Sequence, residues 1–235
     1  MWWAEAVNYG LSYLSREATV GDYVILLNDD INLDYDSIPN LVQASQRNPN
    51  ALIGAINLII NAVTHERRVY SSGGFYNLLT ARHKSNIAPQ TIFLDTYPEL
   101  IETDFLYGRL LIIPWLAFNE GHFFDSNNFP LYCADEDFTY SAKLRGYPVY
   151  VSTKSVVIVN TETTAKFNLS FRFSGIKGVL NSMTSFNSCY NLKQTLIFAR
   201  KYSPNPIIYT LCRFSIILYK ENIQVWLRNL NRPRV

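Results

Sequence analysis

Hydrophobic positions in the first 165 residues alternate between the spacing of helices and the spacing of strands. Apolar residues three and four positions apart predict a helix over residues 3–16, and the run Tyr23–Leu27 predicts a buried strand. The same two patterns then repeat along the chain. They predict a helix at about 38–47, strands within 51–60, 67–75, 108–114 and 147–159, a short helix after Pro114 and a helix in "DEDFTYSAKLRG" that Gly146 ends.

This alternation predicts an α/β fold with a mostly parallel sheet flanked by helices. In such folds, ligands bind beyond the carboxyl ends of the strands. The segment from about 77 to 100 has little periodicity and is predicted as loop. From residue 166 onwards the pattern is helical, so we expect a domain over residues 1–165 and a helical extension over residues 166–235.

Composition favours an intracellular domain of ordinary size. The chain has 235 residues, and 48% of them are hydrophobic, which is enough for a full core. Three widely spaced cysteines (Cys133, Cys189 and Cys212) match no metal or disulfide pattern, which favours a reducing compartment. The first residues have no signal-peptide pattern, and no uncharged apolar run reaches the length of about 18 that a membrane helix needs. We therefore expect a cytoplasmic protein.

The formal net charge of +2 hides an asymmetry between the two parts of the chain. Residues 1–165 carry 10 Lys and Arg against 18 Asp and Glu, whereas residues 166–235 carry 11 against one acid, Glu221. One interpretation is a basic helical surface in contact with solvent. The other is attraction to an anionic membrane or a phosphate-bearing acceptor, where each nearby basic residue contributes about 1 kcal/mol.

Two acidic clusters stand at the ends of predicted elements. Asn28, Asp29 and Asp30 follow the first strand directly, and their oxygen atoms are ligands that suit Mg²⁺ or Mn²⁺. The alternative is an Asx turn or a helix cap. The second cluster, "CADEDF" at 133–138, either satisfies a helix dipole or supplies an ionised carboxylate as general base. Two such clusters in one α/β frame favour a shared site.

Five short motifs occur in order around these clusters: "LLNDDI" (26–31), "GRLLIIP" (108–114), "GHFFD" (121–125), "FPLYCADEDF" (129–138) and "GY" (146–147). Together they resemble the family 2 glycosyltransferases of the rhamnosyltransferase-like kind, whose nucleotide-sugar-binding fold is called GT-A. "LKQTLIFARKYSP" is similar to the C-terminal helix of that family. The resemblance covers most of residues 1–205 and implies a GT-A-type fold.

The resemblance implies a role for each residue that matches a motif. Asn28 and Asp30 match the first and last positions of the motif that holds Mn²⁺ or Mg²⁺ on the donor diphosphate, and Asp29 stands between them. Asp135 matches the catalytic base. Gly108 and Arg109 match the loop beside the acceptor, and Asp137 matches the second acid in the motif of the base.

The implied reaction is a single inverting displacement that moves a sugar from a nucleotide-sugar donor to a polysaccharide or lipid-linked acceptor. In this interpretation Asp135 takes the proton of the acceptor hydroxyl, and the metal stabilises the leaving diphosphate. The basic extension adds an expected peripheral contact with the inner face of the cell membrane. No nucleic-acid partner is implied, and the oligomeric state stays open.

The chain also departs from the family. Ser141 stands where an arginine is usual, and Asn160 stands where a histidine is frequent. The first residues, "MWWAEAVNYG", resemble a segment that follows the second strand of the family, so we expect the first nucleotide-binding strands to be missing. These departures leave two alternatives: a weak or inactive remnant that acts as a binding module, and a metal-dependent phosphohydrolase that uses the same carboxylates.

Overall fold

The computed structural model describes residues 1–61, 63–160, 171–185 and 188–219. The helices are α1 (Trp3–Leu14), α2 (Ser37–Arg47), α3 (Trp115–Asn119), α4 (Ala134–Leu144), α5 (Phe171–Thr184), α6 (Leu192–Tyr202) and α7 (Pro206–Leu218). The strands are β1 (Tyr23–Leu27), β2 (Ile31–Leu33), β3 (Leu52–Ile60), β4 (Arg67–Ser71), β5 (Gly74–Asn77), β6 (Arg82–Ser85), β7 (Leu100–Glu102), β8 (Leu110–Pro114) and β9 (Val149–Val159). The mixed α/β class with an open sheet and flanking helices is confirmed.

Seven strands form the main sheet, with the order β1-β8-β3-β9-β2, while β4 pairs with β3 and β7 pairs with β9. The expectation of a mostly parallel sheet is wrong, because only β3 and β9 run parallel among the described pairings of this sheet. One physical reason is visible between β3 and β4, which are antiparallel neighbours joined by residues 61–66 alone. Parallel neighbours need a long crossover connection, usually a helix, which this stretch does not supply.

The core of the sheet lies against its central strands and α2. The first seven residues of β3 are all buried, as in a strand covered on both faces. Leu41 and Ala44 of α2 pack in the same buried cluster as Ile53 of β3 and Ile112 of β8. β1 lies at the edge of the sheet beside β8, with Leu27 opposite Leu110. Only Val24 of β1 is buried and Leu27 is 51% exposed, so the prediction of a buried strand is wrong, because an edge strand is covered less completely than a central one.

The end of α4 confirms the predicted role of Gly146. Its φ of +96° is one that a glycine adopts without the steric cost of a side chain. The Gly146 amide donates to the Lys143 carbonyl, and the Tyr147 amide donates to the Ala142 carbonyl, which is the hydrogen-bond pattern of a Schellman motif. Gly146 therefore ends α4 at a defined position. Asp135 lies at the opposite end of the helix, in its first turn.

The chain divides into two compact units, of which the first contains the main sheet with α1–α4 and the second contains α5–α7. In the second unit, Asn191 and Asn205 cap α6 and α7 by accepting the amides of Gln194 and Ile208. Val179 and Ile217 form a small buried cluster there. No helix in the described part of the chain combines the length and the apolar character that crossing a membrane requires. The boundary predicted at residues 165–166 and the tail beyond residue 219 lie outside the described residues.

Candidate active site

The end of β1 and the start of β8 bring two sequence motifs side by side. Beyond the last pair of the ladder, the Asn28 amide donates a hydrogen bond of 3.0 Å to the Arg109 carbonyl. This bond continues the antiparallel pairing of Leu27 with Leu110. The predicted metal motif and the predicted acceptor loop are therefore neighbours in space, although about eighty residues separate them in the sequence.

Asp29 and Asp30 are exposed, and neither carboxylate forms a hydrogen bond or ion pair with any described residue. The side chain of Asn28 does have a partner, because its Oδ1 accepts a hydrogen bond from the indole Nε1 of Trp3 at 3.4 Å. Two carboxylates without protein partners at the end of a sheet strand are free to accept a cation. The Asx turn that the sequence left open would have engaged these side chains locally.

Asp135 lies in the first turn of α4, and both of its carboxylate oxygens accept hydrogen bonds. Oδ2 accepts the Gly108 amide at 2.8 Å, and Oδ1 accepts the Glu136 amide at 3.0 Å. The first of these bonds ties the predicted base to the loop that carries Arg109. The three regions that the sequence assigned to metal, acceptor and base thus meet in one place.

Burial raises the pKa of Asp135 to about 6, and the charge of Glu136 acts in the same direction. The amides of Gly108 and Glu136 and the charge of Arg109 lower that pKa only in part. The sequence led us to expect that the helix dipole would keep the group ionised. Burial outweighs that effect, yet a carboxyl with a pKa of about 6 is still about 90% ionised at pH 7, so it can accept a proton.

Gly108 is a position where only glycine fits without a shift of its neighbours. A Cβ atom there would lie 3.0 and 3.1 Å from two ring atoms of Trp3 and 3.4 Å from the Cβ of Asp135. The missing side chain lets the indole ring of Trp3 and the carboxylate of Asp135 approach the same stretch of backbone. The role of Gly108 is therefore close packing, which places its amide on Asp135.

The guanidinium of Arg109 lies over two aromatic rings. Its Cζ is 5.7 Å from the ring centroid of Tyr70 and 5.7 Å from that of Tyr107. Both distances are within the range of cation–π attraction. The side chain is half-buried, and it forms no ion pair within the described part of the chain.

Asp137 follows two residues after Asp135 in α4, but its side chain is only 3% exposed. Its predicted part in donor or acceptor binding stays a prediction. Ser141, one turn further along, donates its hydroxyl to the Phe138 carbonyl at 3.1 Å, a bond inside its own helix. The predicted second acid therefore lies in the first turn of α4 beside Asp135 but is buried, and Ser141, at the position of the usual arginine, lies one turn further along.

Sequence reasoning did not assign a site role to Trp3. The structure places its indole against both Gly108 and Asn28, and its ring meets Phe124 edge to face at 5.3 Å between centroids. The available signal was the pair of tryptophans at the start of α1, which the helical pattern explained as packing. Tyr70 was also missed, because β4 reaches Arg109 only through tertiary folding.

Few described side chains at this site are placed to coordinate a metal ion. Among the described residues, no group of three or more His, Cys, Asp or Glu side chains is arranged to hold a metal ion. Asp29 and Asp30 supply two carboxylates, and Asn28 is already engaged by Trp3. Two carboxylates alone would hold a Mg²⁺ or Mn²⁺ ion only together with ligands from phosphate and water, which Mg²⁺ usually retains.

Comparison with solved structures adds a structural similarity. No protein-family model matches the chain, and no curated protein matches it. The chain is similar to a crystal structure of GalNAc-T7 with UDP, GalNAc and Mn²⁺, with a TM-score of 0.48 and 17% identity. The alignment covers 66% of this chain and 30% of that chain, so this chain spans less than a third of that protein's length. A similarity of this size leaves the function to be argued from the site itself.

Proposed function

We propose that the chain is a metal-assisted glycosyltransferase of the GT-A type, which moves a sugar from a nucleotide-sugar donor to a hydroxyl group of a glycan or lipid-linked acceptor. The proposed site consists of Asp135 as general base, Asp29 and Asp30 as metal ligands, and the Gly108–Arg109 loop beside the acceptor. The finer assignment, to the rhamnosyltransferase-like members of family 2, rests on the order of the sequence motifs.

One observation carries the proposal. A hydrogen bond from Asn28 to the Arg109 carbonyl and a second one from the Gly108 amide to Asp135 link the three motifs in series. These motifs lie far apart in sequence and serve one reaction in the resembled family. Here direct hydrogen bonds connect residues of the three motifs. Structural packing alone gives no reason for two unpaired carboxylates and a half-buried base to meet at the end of a sheet.

Asp135 would start the reaction by taking the proton from the acceptor hydroxyl. The acceptor oxygen then forms its bond to the anomeric carbon while the bond from that carbon to the phosphate oxygen breaks. The leaving nucleoside diphosphate keeps the electron pair of the broken bond. The backbone amides of Gly108 and Glu136 donate one hydrogen bond to each carboxylate oxygen of Asp135. Each oxygen therefore retains a second lone pair that can receive the proton.

Asp29 and Asp30 would hold the metal through their exposed carboxylates. A bound divalent cation would stabilise the negative charge that develops on the leaving diphosphate. The indole of Trp3 would keep the Asn28 amide group oriented toward α1, so the amide group would border the metal site and would not have to join it.

The second unit supports a peripheral position at an anionic membrane surface. Residues 166–235 carry 11 Lys and Arg against one acid. Two apolar residues of α7, Ile207 and Leu211, are 69% and 61% exposed, and they lie four positions apart on one face of the helix. A basic segment with an exposed apolar stripe is suited to the interface of a membrane. A peripheral position at the inner face of the cell membrane is therefore part of the proposal.

Calorimetry tests the proposed metal and donor site. The wild type should bind a nucleoside diphosphate from a panel of four (UDP, GDP, CDP and dTDP) when Mn²⁺ is present, and chelation of the metal should abolish that binding. Asp30→Ala should weaken it strongly. Asp95→Ala is the matched control, because the Asp95 side chain is 97% exposed. Equal binding by the wild type and Asp30→Ala would refute the assignment of Asp30, and binding without any need for Mn²⁺ would refute the metal.

A further inference from the structure

Three basic residues are half-buried in the described part of the first unit, and two of them form ion pairs. Arg68 is paired with Glu66 at 2.8 Å, and Lys143 is paired with Glu102 at 2.9 Å and with Asp104 at 3.0 Å. Arg109 is half-buried as well, but no carboxylate of the described residues forms an ion pair with it. A cation taken partly out of water normally has such a partner, because its desolvation is otherwise uncompensated.

Two tyrosine rings hold the guanidinium of Arg109 in place. Tyr107 lies two residues earlier in the chain, just before the turn that contains Arg109. Tyr70 comes from β4. The rings attract the charge and stiffen the side chain, but they accept none of its five N–H donors as a carboxylate would.

The guanidinium is also close to the proposed reaction. The Arg109 carbonyl is bonded to Asn28, and the Arg109 charge lowers the pKa of Asp135 in part. The carboxylate of Asp135 accepts hydrogen bonds from two amides, and it forms no ion pair with Arg109. A guanidinium held by two rings, with donors that no described carboxylate uses, therefore lies near enough to the proposed base to act on its charge.

We propose that Arg109 is the anion-binding residue of this site and takes a phosphate group of a bound substrate through charge-assisted hydrogen bonds. The planar fork of arginine matches phosphate oxygens in pairs, which lysine does not achieve. The proposal rests on the proposed function and adds a ligand group to it. The phosphate is either the diphosphate of the donor or a phosphate carried by the acceptor.

The test uses two probes that separate these sources. The first is the nucleoside diphosphate that binds best from the panel, with Mn²⁺, and the second is octyl diphosphate, which carries phosphate but no nucleoside. Arg109→Gln removes the charge, and Arg109→Lys keeps the charge without the fork. Arg16→Gln is the matched control, because Arg16 is exposed and lies 5.3 Å from the ring of Tyr13. Circular dichroism confirms that each variant is folded.

Arg109→Gln should raise the Kd for at least one probe about 10- to 100-fold, the usual effect of losing hydrogen bonds to a charged group. Arg109→Lys should fall between it and the wild type, and Arg16→Gln should leave the Kd unchanged. Weakening of the nucleoside diphosphate alone identifies the donor phosphate, and weakening of octyl diphosphate alone identifies an acceptor phosphate. Unchanged affinity for both probes, or no binding of either by the wild type, would overturn the proposal.

A second measurement does not depend on binding. Carbon-13 NMR of the Asp135 carboxyl should show a higher pKa in Arg109→Gln than in the wild type, because a nearby positive charge has been removed. The two proposals also fail separately. If Asp30→Ala binds like the wild type while Arg109→Gln does not, the metal assignment falls and the arginine site stands. If Arg109→Gln binds like the wild type while Asp30→Ala does not, the proposed role of Arg109 is wrong and the metal assignment stands.

Discussion

Replacement of Asp135 by asparagine should make the folded protein more stable at pH 8 and should give no such gain near pH 4. Burial raises the pKa of Asp135 from 3.8 to about 6. Because the pKa in the folded state is above that in the unfolded state, the wild type gains stability as the pH falls from 6 toward 3.8. Above pH 6 the folded protein bears the full cost of the buried carboxylate.

The size of the effect follows from the pKa shift and the hydrogen bonds. A shift of about 2 units at 1.36 kcal/mol per unit sets an upper limit of about 3 kcal/mol. Asparagine removes that cost, but its single acceptor oxygen can serve only one of the two amides, Gly108 or Glu136. The lost bond costs about 1 kcal/mol at every pH. We therefore expect a net gain of about 1–2 kcal/mol at pH 8.

Urea unfolding followed by circular dichroism at about pH 8 and about pH 4.5 measures this difference. Between the two conditions, the advantage of Asp135→Asn over the wild type should fall by about 2 kcal/mol, because pH 4.5 is still above the unfolded pKa of 3.8 and leaves about 1 kcal/mol of the cost in place. Asp95→Asn, at an almost fully exposed position, should change the free energy of unfolding by less than about 0.5 kcal/mol in both. If Asp135→Asn destabilises the protein equally at both pH values, the carboxylate is not strained by burial and this reasoning is wrong.

Two further predictions concern packing and the membrane. Gly108→Ala should lower the free energy of unfolding by about 1–3 kcal/mol, because its Cβ would lie 3.0 Å from Trp3. Gly10→Ala, inside α1 with nothing within 4 Å of the new Cβ, should raise it by up to about 1 kcal/mol, and thermal melts that show the same sign for both would contradict the packing at Gly108. Co-sedimentation with liposomes should increase with anionic lipid and decrease with salt. Leu211→Glu should weaken it while Leu144→Glu, an exposed position of α4, should not, and binding indifferent to lipid charge would speak against the membrane contact.

Local patterns in the sequence predicted most of the single elements of the first unit. The run Tyr23–Leu27 is β1 to the residue, and Gly146 ends α4 as expected. The direction of the strands could not be predicted in the same way, since pairing depends on which segments cross over and which turn back. β6 was missed because "RHKS" has no apolar face to produce a period of two.

The candidate site was predictable only in part, for a related reason. The motifs placed Asn28 and Asp135 at the ends of elements, and the structure has them there. The contacts that join them come from Trp3 and Gly108, whose meeting depends on tertiary packing. His122 shows the same limit, because nothing in its local sequence predicts that it is 3% exposed and stacks on Phe138 with 4.3 Å between ring centroids.

The central claim is that Asp135 is the general base of a metal-assisted sugar transfer. The most direct measurement is the rate at which nucleoside diphosphate is released from a panel of nucleotide sugars, with Mn²⁺ and with glycan or lipid-linked acceptors. The account predicts release that chelation of the metal abolishes, that Asp135→Asn lowers about 10²- to 10⁴-fold and that Asp95→Asn leaves unchanged. A full rate in Asp135→Asn, or no cleavage of any nucleotide sugar by the wild type, would contradict it.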